Sequence, residues 1–138
     1  EADAALLIGD DALRAKYKTS DSLYVYDLGR EWKDLTGLPM VFAVWAIRRE
    51  FAENNMEQVR QIKEAFDDSM AYSLENIGDV ARKACQWEDF PPEYLVEYFT
   101  TLRFDFDKSK QEGLLEYYRQ ASSMGLLEQT PPLNVLSL

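Results

Sequence analysis

The sequence predicts an α/β fold in which short strands come first and long helices follow. Two observations carry that expectation. Ala4–Ile8 and Met40–Ile47 are continuously apolar and of strand length, the pattern of strands buried on both faces. From Asn55 onward the apolar residues step by threes and fours, the period of an amphipathic helix.

Taken in order, Ala4-Ala-Leu-Leu-Ile8 stops on Gly9 and two carboxylates follow. Asp10 or Asp11 is expected to cap a short helix through Ala12-Leu-Arg-Ala15, because a carboxylate accepts the free N–H groups of a first turn. Lys16–Ser22 reads as polar loop, and Leu23-Tyr-Val-Tyr26 as a second strand rich in β-favouring residues. Asp27 is placed as the N-cap of a short helix around Arg30–Leu35, ended by Gly37. Pro39 marks the exit. Met40–Ile47 is then the central strand, broken by Arg48-Arg-Glu50.

Met56, Val59, Ile62, Phe66, Met70, Leu74 and Ile77 form one helical stripe expected to face a core. Gly78 is the expected bend or end, with another turn or two over Val80–Trp87. Asp89-Phe-Pro-Pro-Glu93 stops the pattern and restarts it, since proline is tolerated in a first helical turn. Tyr94, Leu95, Tyr98, Phe99 and Leu102 make the next stripe. Arg103–Asp107 reads as an extended link. Ser109-Lys-Gln-Glu112 has the spacing of a capping box, and Leu114, Leu115, Tyr118 and Ala121 face inward up to Gly125. Trp45 is assigned to the core, Trp32 to local packing, and Asp67-Asp68 to a solvated face.

A chain of 138 residues is about one domain by the usual size prior. Its net charge is −10 with no run of Lys or Arg, which argues against nucleic acid and against anionic membranes. No stretch approaches the roughly 20 apolar residues of a membrane span, and no signal peptide opens the chain. The chain contains no histidine. That excludes a Ser-His-Asp triad, a Cys-His pair and histidine-based metal sites from these residues. The single cysteine, Cys85, favours a reducing compartment and reads as packing rather than as a nucleophile. Three short apolar strands make a poor sheet alone, so the chain either dimerises or belongs to a longer polypeptide; the second is favoured.

The stretches ADAALLIGDDAL, YDLGREWKDLTGLPMVFAVWAIR and GLLEYYRQASSMGLL together resemble the chorismate dehydratases of the futalosine route to menaquinone. The Gly-Leu-Pro-x-Val-Phe-Ala-Val-Trp-Ala segment is the most specific part. The resemblance implies the C-terminal half of a two-lobed fold of the periplasmic-binding-protein type II kind, used for catalysis in the cytoplasm. It assigns residues 1–50 to part of the second lobe with a return crossover strand. Residues 51–138 become a helical part packing back toward the first lobe. It implies a hydro-lyase that removes water from chorismate to give 3-[(1-carboxyvinyl)oxy]benzoate, with no metal or cofactor and no nucleic acid or membrane partner. The missing N-terminal half is the implied partner.

Where a sister branch of the family carries Ile-His-Glu, with the histidine as base, this chain has Ile8-Gly9-Asp10. Gly9 and Asp10 are therefore the expected substrate-binding residues, while the general base is unassigned. For Asp10, capping and cleft contact stand equally; for Asp11, the cap is preferred. Leu38 and Pro39 fit a cleft wall and a plain turn equally well. The alternative to an enzyme lobe is a non-catalytic solute-binding lobe, since the fold is shared with transport receptors.

Overall fold

The computed structural model describes residues 2–18, 23–136 and 138. Its regular structure is helical: α1 (Gly9–Lys18), α2 (Leu28–Thr36), α3 (Arg49–Asn54), α4 (Met56–Glu75), α5 (Ile77–Ala84), α6 (Pro92–Thr101) and α7 (Lys108–Ser123). The expected α/β architecture, with its two-lobed sheet fold, is not what the chain forms. Among the described residues there is no strand. A strand exists only where a neighbour takes its N–H and C=O groups. No backbone hydrogen bond joins residues 4–7, 23–26 or 40–47 to another segment among the described residues. Their apolar side chains lie in solvent instead: Ile8 is 79% exposed, Tyr24 93% and Trp45 84%. Trp45, expected in the core, is thus a surface residue.

The chain divides into two compact units. The first comprises residues 1–41 and 108–130, and holds α1, α2 and α7. Here α2 is built as its sequence suggests. The Asp27 carboxylate accepts the N–H groups of Gly29 at 3.0 Å and Arg30 at 3.2 Å, satisfying two donors that the first turn leaves open. At the other end Gly37 takes a left-handed φ of 74° and donates its N–H to the Lys33 carbonyl, a conformation that costs a side-chain-bearing residue about 1–2 kcal/mol. The Thr36 hydroxyl accepts the Leu38 N–H at 3.1 Å and donates to the Trp32 carbonyl at 2.8 Å, tying the turn before Pro39 back to the helix. Leu114 and Gly113 of α7 are buried in this unit.

The second unit comprises residues 42–107 and 131–138, with α3 to α6. Its core is the pairing of α5 with α6. Ala81 is fully buried there, and Phe90 and Leu95 nearly so. The small Ala81 lets a partner approach closely. Phe90, in the loop, stacks on Tyr94 with ring centroids 5.4 Å apart. The Cys85 thiol donates to the Phe90 carbonyl at 3.2 Å. Pro92 opens α6 in its first turn, as its sequence suggests.

Several boundaries depart from expectation. Asp10 and Asp11 lie inside the first turn of α1 rather than before it, because the helix already begins at Gly9 and runs to Lys18 through part of the expected loop. Residues 19–22 of that loop lie outside the described residues. Arg48-Arg-Glu50 does not merely end a segment; it starts α3, with Ala52 buried. The break between α4 and α5 falls at Asn76, whose N–H bonds to the Tyr72 carbonyl, so that Gly78 sits within α5. Ser109 is inside α7, which begins at Lys108, so the capping-box register does not apply. Of the α4 stripe, Val59 is buried while Ile62, Phe66 and Leu74 are exposed.

Candidate functional site

Gly9 and Asp10 open α1 in the first unit. Gly9 has φ of 59°, and a β-carbon placed on it would meet nothing within 4 Å. Its constraint is therefore the backbone and not space: only glycine takes this left-handed turn without strain. The turn swings the chain out of the exposed segment 4–8 into the helix, whose first link to it runs from the Ala12 N–H to the Ile8 carbonyl at 3.4 Å.

The two carboxylates at this mouth are placed differently. Asp11 pairs with Arg14 one turn along, at 2.7 Å. Asp10 is exposed and makes no hydrogen bond or ion pair among the described residues. Asp10 is thus the free carboxylate of the pair. Both acids sit where the helix dipole favours negative charge. The structure brings no second acid or base of the described residues into hydrogen-bonding distance of Asp10.

Elsewhere in the first unit, Trp32 of α2 meets Tyr117 of α7 edge to face, with centroids 5.6 Å apart. This is the local packing expected of Trp32. Its indole N–H is buried without a hydrogen-bond acceptor. Gly113 of α7 lies against the Pro39 carbonyl, so Pro39 is packed on α7. Asp67 pairs with Lys63 on the exposed side of α4, in line with a solvated face.

In the second unit an open depression of about 240 Å³ is lined by Arg48, Glu50, Phe51, Asn54 and Asn55. The Asn54 and Asn55 amides are already used as donors to the carbonyls of Glu50 and Phe51. No sequence-expected site residue lines it. Among the described residues no group of three metal-ligating side chains is brought together, and no helix is long and apolar enough to cross a membrane.

The family model described as menaquinone biosynthesis matches residues 1–123, and the chain belongs to that family. Among its relatives, the protein named chorismate dehydratase from Thermus thermophilus is 28% identical over 138 residues, covering 90% of this chain and 48% of that protein. The protein named 1,4-dihydroxy-6-naphtoate synthase from the same organism is 26% identical over 136 residues, covering 95% of this chain and 48% of that protein. The chain spans about half the length of the curated relatives it matches.

Proposed function

We propose that this chain is one half of a chorismate dehydratase acting on the futalosine route in the cytoplasm. The reaction is a carbon–oxygen elimination. A base removes a ring proton of chorismate, the ring hydroxyl leaves as water, and the ring becomes aromatic in 3-[(1-carboxyvinyl)oxy]benzoate. Aromatisation makes this strongly downhill, so the protein mainly positions a base and assists the leaving hydroxyl. In this reading Gly9 and Asp10 contribute to the substrate cleft.

The two relatives differ by only two points of identity, 28% against 26%, so identity does not choose between their reactions. The observation that favours dehydration is the glycine between Ile8 and Asp10 in a chain without histidine. Chorismate is a dicarboxylate, and like charges repel at close range. In this reading Asp10 therefore meets a substrate hydroxyl rather than a substrate carboxylate.

The chain alone is expected to leave chorismate untouched, because in this reading the half of the relatives that the match leaves uncovered supplies the rest of the cleft. The test is turnover of chorismate, followed by loss of substrate and appearance of the aromatic product. It is run on the chain alone and on the chain joined to the half of the dehydratase relative that the match leaves uncovered. Product from the joined protein only is the expected result. Turnover by the chain alone at the rate of a full-length dehydratase, or none by a folded joined protein, overturns the reading.

A further inference from the structure

We propose that this chain assembles with further copies of itself by strand pairing through Met40–Ile47. What the segment lacks is a backbone partner. It belongs to no helix, and no backbone hydrogen bond joins it to another segment among the described residues. From Phe42 to Ile47 every residue is exposed. Trp45 rests its ring on Phe66, with centroids 4.5 Å apart, but that contact holds one side chain and leaves the peptide groups open. Any apolar surface can cover an apolar side chain. A row of peptide N–H and C=O groups is different, because another extended chain is what pairs it along its whole length.

Composition makes that other chain a second copy. Met-Val-Phe-Ala-Val-Trp-Ala-Ile carries no charge, no proline and no glycine, and Val, Phe, Trp and Ile favour strands. Identical segments of this character, about six or seven residues long, stack in register and interdigitate their side chains. Met40–Ile47 exceeds that length. The other exposed apolar runs, Ala4–Ile8 and Leu23–Tyr26, fall short of it. Pro39 closes one end of the segment and Arg48-Arg49-Glu50 the other, residue types that keep pairing from spreading. Each added copy presents a fresh open edge, so the assembly grows instead of stopping at a dimer. Charge opposes it. Each copy carries −10, and in about 0.01 M salt the screening length is about 30 Å, so whole copies repel one another. In about 1 M salt that length is about 3 Å, shorter than the strand spacing of about 4.8 Å. The segment itself is neutral, so salt lifts the repulsion and leaves the pairing intact.

The test compares the purified chain in about 0.01 M and about 1 M NaCl. In the higher salt it is expected to form fibres that diffract at about 4.7 Å, with a half-time of growth at least tenfold shorter than in the lower. Amide exchange over residues 40–47 is expected to slow at least tenfold in the fibres. Val44→Pro removes a peptide donor from the middle of the segment, and Val44→Lys stacks charge on charge; each is expected to lengthen the half-time at least tenfold. Val25→Pro, in another exposed apolar run, leaves it unchanged. Val44 and Val25 are exposed and lie outside the helices, so circular dichroism is expected to show the same helix content in every variant. Five results overturn the proposal: a chain that stays monomeric in the higher salt, a closed dimer or precipitate without the reflection, growth that salt does not hasten, fibres that leave residues 40–47 unprotected, or fibres that Val44→Pro forms as fast as the unaltered chain.

Discussion

Gly113 on α7 lies so close to Pro39 that a β-carbon there would overlap the Pro39 carbonyl oxygen and sit 3.3 Å from its carbon. The neighbour is backbone, not the end of a flexible side chain, so it cannot step aside cheaply. Two effects oppose one another in Gly113→Ala. Alanine is the better helix former by about 1 kcal/mol, but overpacking against fixed atoms costs about 1–3 kcal/mol. Because Gly113 is buried, the second effect is expected to win. Urea denaturation should show a net loss of up to about 2 kcal/mol; a gain in stability would mean that α7 does not pack on the Pro39 turn.

The two ends of α2 offer a paired test of local encoding. Asp27→Ala removes the acceptor for Gly29 and Arg30 and is expected to cost about 1 kcal/mol, whereas Asp27→Asn keeps an oxygen in place and costs a fraction of that. Gly37→Ala forces a side chain into φ of 74° and is expected to cost about 1–2 kcal/mol. Thermal melts of the three variants check the order. Equal losses from Asp27→Ala and Asp27→Asn would show that charge, not capping, holds the helix start.

That contrast shows where the sequence was legible. Several signals between residues a few positions apart are legible, although the capping box at Ser109 and the break at Gly78 are not. Asp27 before α2, Gly37 after it and Pro92 at the head of α6 all stand where their chemistry put them. Long-range pairing was not legible. The run Met40–Ile47 reads as a buried strand because its residues shun water, but apolarity says nothing about whether a hydrogen-bonding neighbour exists. None joins it among the described residues, so the sheet expected of it does not form. The α4 stripe fails in the same way: its period specified a helix, yet Ile62, Phe66 and Leu74 have no core to face. The mouth of α1 was partly legible. The left-handed φ of Gly9 fits its residue type, but the helix starts earlier than a capping aspartate allows.

Cys85 separates a packing thiol from a reactive one. Its Sγ donates to the Phe90 carbonyl at 3.2 Å and is half-buried beside the α5–α6 core. Cys85→Ser keeps a donor and Cys85→Ala removes it, so the alanine variant is expected to leave an acceptor unmet at a cost of about 1 kcal/mol. Turnover by the joined protein is expected to be unchanged in both. A tenfold loss of turnover with normal stability would instead place the thiol in the chemistry.

Asp10 and Asp11 are adjacent carboxylates in one helical turn, and their different surroundings make them each other's control. Asp11 is engaged with Arg14, an exposed ion pair worth about 0.2–1 kcal/mol, and Asp11→Ala is expected to change stability within that range and turnover not at all. Asp10 has only the helix dipole, worth about 0.3–1 kcal/mol for a charge in the first turn. If Asp10 serves the cleft, Asp10→Asn in the joined protein lowers turnover of chorismate at least tenfold while the melting temperature stays within a few degrees. Asparagine keeps a hydrogen-bonding side chain for a substrate hydroxyl and alanine does not, so Asp10→Ala should be the more damaging of the two. Normal turnover in both variants, with a small loss of stability, would reduce Asp10 to a helix-end charge and remove this turn from the substrate site.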